Sequence, residues 1–102
     1  MNPLELSYSQ YDNSLMRLFM MNPAQAFSHE RIHDWFIDHW QVQLTALKPF
    51  ERQRFAKRLL ASLGRLEKSN IITKNKRTVA LNSGRRVEYK YRNPAQKIPV
   101  HE

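Results

Sequence analysis

Two histidines and a glutamate stand at the spacing of a zinc-hydrolase motif. The segment from His29 to His33 has the sequence HERIH, which matches the pattern H-E-x-x-H. On a helix both histidines share one face and could reach a single zinc ion, with Glu30 as general base for a bound water. His39 follows six residues after the second histidine, where the longer form of this motif has its third ligand.

The surroundings of these histidines argue against a zinc enzyme. The longer motif needs glycine and a helix break at the position that Phe36 occupies, and here the helical pattern continues. Without a break, His39 lies about 15 Å along the helix axis from His29, too far for one ion with bonds of about 2.1 Å. The chain has no cysteine, no Gly-rich phosphate loop and no serine with a credible catalytic partner. We therefore expect no enzymatic activity, no metal and no cofactor.

Positive charge is the second chemical feature, and it is concentrated in one half of the chain. The 102 residues carry a net charge of +8, but residues 1–47 have a net charge of −3 and residues 48–102 one of +11. Such clustering is typical of a protein that binds a polyanion, and nucleic acid is the first candidate. The alternative is a solvated basic surface, as on a small ribosomal or membrane-associated protein.

Two helices are predicted in the acidic half. The first follows possible capping residues at 12–14, covers residues 15–21 and ends at Asn22-Pro23. The second begins at Ser28, a suitable N-cap, with Phe27 and Ile32 placed as a hydrophobic staple. Its apolar face predicts three core aromatic residues: Trp35, Phe36 and Trp40.

A third helix, the longest, is predicted from Lys48-Pro49 to about Ser69-Asn70. At about 100° per residue its apolar and basic residues separate onto opposite faces. The apolar face holds Phe55, Ala56, Leu59, Leu63 and Leu66, and the basic face holds Arg54, Lys57, Arg58, Ala61, Arg65 and Lys68. The helix should therefore bury one side and present five cations on the other.

After residue 72 the apolar period changes from 3.6 to 2, which predicts a β-hairpin. A three-residue loop with Gly84 in the left-handed conformation would pair Val79 with Val87 and Leu81 with Arg85. The predicted tip carries Arg85 and Arg86, and the base is flanked by Lys74, Lys76, Arg77, Lys90 and Arg92.

This order of elements resembles the winged helix-turn-helix family of DNA-binding proteins. The resemblance extends from Ser28 to Arg92, and the stretch RLLASLGRLEKSNIITKN is similar to the recognition helix and exit strand of bacterial regulators. It implies a mainly α fold of three helices plus a β-hairpin, with residues 50–68 in a DNA groove and the hairpin 77–92 as the wing. The corresponding organisation is an N-terminal arm (1–11), one DNA-binding domain (12–93) and an extended tail (94–102).

Elementary chemistry supports the same assignment. A helix fits the major groove of B-form DNA, where arginine can donate two hydrogen bonds to guanine and shorter polar side chains can contact adenine. The first half of the third helix should approach the bases most closely, whereas its last turns and the hairpin suit phosphates or the minor groove. The predicted base contacts are Gln53, Arg54, Lys57 and Arg58. The predicted backbone or minor-groove contacts are Ser28 at its helix N-terminus, Arg65, Lys68, Lys74, Lys76, Arg77, Arg85 and Arg86.

The sequence thus predicts a double-stranded DNA-binding protein, most simply a bacterial, phage or plasmid transcriptional regulator. One small module contacts few base pairs, so we expect a homodimer, formed through the first helix with Met16, Met20 and Met21 or through the N-terminal arm. No apolar run approaches the ~18 residues of a membrane span and no secretory signal is evident, so we expect a cytoplasmic, nucleoid-associated protein. The alternatives are a replication or partition factor, a winged-helix module that binds a protein, and the zinc hydrolase.

Overall fold

The computed structural model describes residues 1–81 and 84–92, with residues 77–81 and 84–90 as backbone only. Its elements are α1 (Tyr8–Met21), β1 (Phe27–Ser28), α2 (His29–Trp40), α3 (Pro49–Lys68), β2 (Thr73–Leu81) and β3 (Gly84–Arg92), with 3-10 turns at Pro3–Glu5 and Leu44–Ala46. The fold is mainly helical with a small antiparallel sheet of order β1-β3-β2. This confirms the predicted class of three helices plus a hairpin. Residues 82 and 83 of the predicted loop (82–84) and the predicted tail at 94–102 lie outside the described residues.

The start of α1 was predicted wrongly. Ser7 is the N-cap: its hydroxyl accepts a hydrogen bond from the Gln10 N–H at 3.1 Å, and the Gln10 side chain accepts one from the Ser7 N–H at 2.8 Å. This reciprocal capping box fixes the first turn five residues before the candidate cap at Asp12. Ser14 lies inside the helix, where its hydroxyl donates to the Gln10 carbonyl at 2.7 Å.

The segment predicted as an N-terminal arm consequently packs into the fold. Leu6 and Tyr11 are buried, and the Tyr11 hydroxyl donates to the Pro3 carbonyl at 2.6 Å. Burial raises the pKa of Tyr11 to about 12, although the nearby Arg58 charge opposes the shift. The 3-10 turn at Pro3–Glu5 is thereby attached to the core.

The second and third helices begin where the sequence predicts. The Ser28 hydroxyl accepts from the Arg31 N–H at 3.2 Å, and α2 then continues without a break through Phe36. At α3, proline occupies the first turn and the Glu51 carboxylate accepts from the Lys48 N–H at 2.8 Å. Both helix starts depend on capping residues within a few positions, and for this reason the sequence predicts them correctly.

One hydrophobic core joins all three helices to the base of the sheet. Tyr11 stacks on Phe36 with ring centroids 5.0 Å apart, and Phe55 of α3 packs 5.6 Å from Phe36. Fully or nearly fully buried around them are Leu15, Leu18, Phe19, Phe27, Ile32, Leu59, Leu63, Leu66, Ile72 and Tyr91. Burial of the apolar face of α3 is as predicted, and it turns the opposite face of this helix outward.

The sheet differs from the prediction in two respects. Strand β1 was not predicted, because two residues are too few for an alternating pattern. In the hairpin, Leu81 pairs with Gly84 and Val79 with Arg86, one residue away from the predicted pairing of Leu81 with Arg85 and Val79 with Val87. The predicted three-residue loop is therefore wrong, because Gly84 is already paired with Leu81.

Candidate nucleic-acid interface

The solvent-facing side of α3 presents cations that the fold does not use. Gln53, Arg54, Lys57 and Lys68 are all exposed, while Leu59 on the far side of the helix is fully buried. Among the described residues, none of these four side chains takes part in an ion pair or a side-chain hydrogen bond. The charges of Arg54, Lys57 and Lys68 and the amide group of Gln53 are therefore available to a ligand.

The first turn of α3 is held firmly against the α2–α3 connection. Gln41 ends α2 in a left-handed conformation (φ 53°), and Val42 and Leu47 on either side of the 3-10 turn at Leu44–Ala46 are buried. The Arg52 Nε donates to the Leu44 carbonyl at 3.1 Å. This connection is longer than a tight helix-turn-helix turn, yet its own contacts fix the direction in which α3 begins.

Two of the predicted DNA contacts on α3 are occupied within the fold. The Arg58 Nη1 donates to the Leu4 carbonyl at 3.0 Å, and its guanidinium lies 5.7 Å from the centroid of the Tyr8 ring. Arg65 lies 5.2 Å from the same ring and binds Asp12. Both arginines thus lie at the edge of the basic face of α3 that is nearest to α1, and their contacts within the fold distinguish them from the exposed cations beside them.

Asp12 of α1 and Arg65 of α3 form a two-point ion pair. The Arg65 Nη2 and Nε donate to the two carboxylate oxygens at 2.7 and 3.0 Å, and the buried Ser62 hydroxyl also donates to this carboxylate. Burial alone would raise the pKa of Asp12, but the hydrogen bonds from Arg65 and Ser62 and the Arg65 charge outweigh it and lower the pKa. The same contact raises the pKa of Arg65.

Two large apolar side chains also lie exposed on the outer side of α3. Phe50 is 55% exposed and Leu60 is 47% exposed. Phe50 lies one turn before Arg54 and two turns before Lys57, so it shares their surface. Phe50 was not among the predicted site residues, although the same helical spacing that groups the cations places it beside them.

The hairpin is anchored at its base by β1. Phe27 pairs with Tyr91 and Ser28 with Lys90, whereas β3 from Gly84 to Tyr89 pairs with β2 alone in the described sheet. Those six residues extend about 20 Å beyond the anchor at ~3.3 Å per residue. In the strand register, Arg85 lies opposite Ala80 and Arg86 opposite Val79, directly after the last described pair, Leu81 with Gly84.

The remaining predicted contacts lie at the hairpin base and at the start of α2. Lys74 forms an ion pair with Glu67 of α3 at 3.7 Å, while Lys76 is exposed. Arg77 pairs in register with Glu88; its side chain is outside the description. The Ser28 hydroxyl is engaged as the cap of α2.

The histidines of the H-E-x-x-H segment are not gathered into a metal site. No group of three histidine, cysteine or carboxylate side chains among the described residues could hold an ion. His33 packs against Phe55 with ring centroids 5.2 Å apart, and His39 stacks on Trp35 at 4.7 Å. The Nε2 of His29 is buried and has no hydrogen-bond partner in the described part; burial, then the neighbouring His33, lowers the pKa of His29.

The predicted aromatic core of α2 is only partly core. Phe36 is fully buried, while Trp35 and Trp40 are half-buried at its margin. The Trp40 Nε1 donates to the Ser14 hydroxyl at 2.9 Å and so ties α2 to α1.

Comparison of the chain with family models, curated proteins and solved structures found no match. Within residues 1–81 and 84–92, no helix has the length and apolar character to cross a bilayer.

Proposed function

We propose that this chain is a winged-helix protein that binds double-stranded DNA, with α3 in the major groove and the β2–β3 hairpin as the wing. Support comes from the element order: three helices, the last of them basic outside and apolar inside, followed directly by a long hairpin. Strand β1 adds to this arrangement because it attaches the hairpin base to the start of α2.

The observation that carries the proposal is the exposed, unpaired basic surface of α3. Arg54 and Lys57 lie on its second and third turns, and Lys68 lies on its last. A helix of about 10–12 Å diameter fits a groove about 12 Å wide, where these side chains would meet base edges and phosphates. Charged side chains on a rigid helix without partners are the chemistry that a polyanion recognises.

The packing changes the roles proposed for individual residues. Gln53, Arg54 and Lys57 remain the base-contacting group and Lys68 a phosphate contact. Arg58 and Arg65 are already bound to the α1 side, so we assign them to positioning α3 rather than to DNA. In the wing, Lys76, Arg77, Arg85 and Arg86 are proposed to contact phosphates or the minor groove, with Lys74 near the hairpin base and the Ser28 N-terminus of α2 as further phosphate contacts.

A regulator acting as a homodimer in the cytoplasm is the form of this function that we favour. One module of this size covers few base pairs, and a two-fold dimer doubles the contacted sequence. Met20 and Met21, at the end of α1, are 65% and 68% exposed. These two side chains offer apolar surface that the monomer core does not use.

Binding to a random duplex across a salt series tests the proposal. Three helix cations and several wing cations should produce a slope of log affinity against log salt of several units, at about 0.9 per phosphate neutralised. Arg17→Ala is a charge-matched control, since Arg17 is an exposed cation on α1. No binding at micromolar protein and low salt would reject DNA binding and favour a protein partner. Stoichiometric zinc that is lost on His33→Ala would instead favour the hydrolase.

A further inference from the structure

Phe50 is an apolar side chain at the N-terminal end of the α3 surface that we propose to contact DNA. Its ring is 55% exposed although Phe55, one and a half turns later, is fully buried. The core packs against the opposite face of α3, so the exposure of Phe50 follows from its place on the outer face. The ring makes no use of this exposed area within the fold, so covering it with a ligand would remove apolar surface from water.

The neighbours of Phe50 indicate which kind of ligand that is. Gln53, Arg54 and Lys57 follow it at spacings of three, four and seven residues, so the four side chains share one face of the first three turns. They extend about 10.5 Å along the helix, close to three base-pair steps of ~3.4 Å each. A second copy of this face would bring like charges together, which disfavours self-association through it. A polyanion with an apolar group recessed among polar ones fits the surface better.

The major groove of DNA presents such a group. Thymine carries a 5-methyl group on its major-groove edge, and phenylalanine is among the side chains that contact it. The adjacent Gln53 has the amide donor and acceptor that match adenine, and Arg54 has the paired donors that match guanine. We propose, on the basis of the proposed function, that Phe50 recognises the thymine 5-methyl group and that the preferred duplex has a thymine within this part of the site.

The first turn of α3 is rigid enough for this role. Both the Glu51 carboxylate, through the Lys48 N–H, and the Arg52 Nε, through the Leu44 carbonyl, tie it to the preceding connection. Side chains held on an anchored helix read a base edge at little ordering cost, whereas a frayed end would lose that advantage.

Replacement of thymine by deoxyuridine tests the proposal, because it removes the methyl group and keeps every hydrogen-bonding atom. The probe is the tightest-binding duplex selected from a random library, with each thymine replaced in turn. We expect about a fourfold loss of affinity at one position, the effect of one buried methyl-sized group. In Phe50→Ala the same replacement should not change the affinity, and in Phe50→Leu it should cause a smaller loss than in the wild type.

Leu60→Ala is the matched control. Leu60 is similarly exposed but lies nearly three turns further along α3, so its variant should keep the full difference between thymine and deoxyuridine. Equal affinities for all thymine and deoxyuridine duplexes in the wild type, a difference that survives in Phe50→Ala, or selection without any sequence preference would overturn this inference while leaving DNA binding intact. Dissociation of a dimer by Phe50→Ala would assign the side chain to self-association and overturn it as well. Absence of any duplex binding would reject the proposed function itself.

Discussion

Arg65 holds Asp12 by two hydrogen bonds, from Nη2 at 2.7 Å and from Nε at 3.0 Å, across 53 residues of sequence. The contact joins α1 to the last turns of α3, and the Ser62 hydroxyl donates to the same carboxylate. Because the two guanidinium nitrogens bind in parallel, the pair fixes direction as well as distance. It therefore sets the rotation of α3 about its axis, and with it the direction in which the free cations point.

Replacement of Asp12 by asparagine should lower the free energy of unfolding by about 1–3 kcal/mol at neutral pH, since it leaves the partly buried Arg65 and Ser62 donors poorly matched. The pKa of Asp12 is lower in the folded protein than in the unfolded chain. The ion pair therefore stabilises the fold above about pH 4, and this contribution disappears as the pH falls through the folded-state pKa.

The contribution of the Asp12–Arg65 pair can be measured by urea unfolding of the wild type and Asp12→Asn at pH 7 and pH 3. The wild type should lose more stability on acidification than Asp12→Asn. Glu67→Gln, which removes an exposed ion pair with Lys74, is the control and should cost less than about 1 kcal/mol. An equal acid response in wild type and Asp12→Asn would show that the pair does not stabilise the fold.

Removal of Arg54 should relax sequence preference. If its guanidinium contacts a guanine edge, Arg54→Ala loses roughly 1–3 kcal/mol on the selected duplex and much less on a random one. The measurement is a pair of titrations, on selected and random duplexes, at one salt concentration. Arg17→Ala should leave both affinities near the wild-type values, and an identical loss on both duplexes for Arg54→Ala would make it a phosphate contact.

Removal of Arg85 and Arg86 should weaken binding to selected and random duplexes equally, unlike removal of Arg54. Arg85→Ala combined with Arg86→Ala is expected to weaken all duplexes alike and to reduce the salt slope by about two units, if each neutralises one phosphate. Titrations over a salt series measure the slope directly. A loss confined to the selected duplex would instead assign base recognition to the hairpin.

The features that the sequence predicted correctly depend on residues close together in the chain. The faces of α3 and the starts of α2 and α3 depend on periodicity and on capping residues within a few positions, and the structure agrees with all of them. The early start of α1 was missed because Asp12-Asn13-Ser14 resembled a cap more strongly than the true Ser7–Gln10 box. The correct starts of α2 and α3 and the wrong start of α1 thus all depended on nearby residues, and in α1 two nearby segments had suitable capping residues.

The sequence could not predict the contacts that form between residues far apart in the chain. Nothing near Arg65 in the sequence indicates that its partner is Asp12, and nothing near Arg58 points to the Leu4 carbonyl. Helical periodicity assigns a side chain to one face of a helix. Which cations on that face form contacts within the fold depends on how the N-terminal segment and α1 pack against α3. The exposed subset, with Phe50 among it, thus emerges from the tertiary structure.

His29 should make the fold less stable in mild acid. Its pKa is lowered in the folded protein, because burial and then the neighbouring His33 disfavour its charged form. The unfolded chain therefore binds more protons below about pH 6.5, and stability falls as the pH decreases through that point toward the folded-state pKa. His29→Leu removes both the proton uptake and the buried Nε2 that has no partner among the described residues. Unfolding midpoints at pH 7.5 and 5.5 should differ less in this variant; an unchanged difference would exclude His29 as the cause.

The exposed methionines at the end of α1 provide the test of the dimer. If Met20 and Met21 bury apolar surface against a second copy, Met20→Ser with Met21→Ser should shift the protein toward monomer in sedimentation equilibrium, with little change in the unfolding of the monomer because both side chains are already exposed. Leu60→Ser removes comparable exposed apolar surface from α3 and should leave the dimer intact. On a duplex with two half-sites, the double variant should also lose cooperative binding while keeping its affinity for one half-site, since the α3 contacts are untouched. A wild type that is monomeric alone and binds each half-site independently would exclude an α1-mediated dimer.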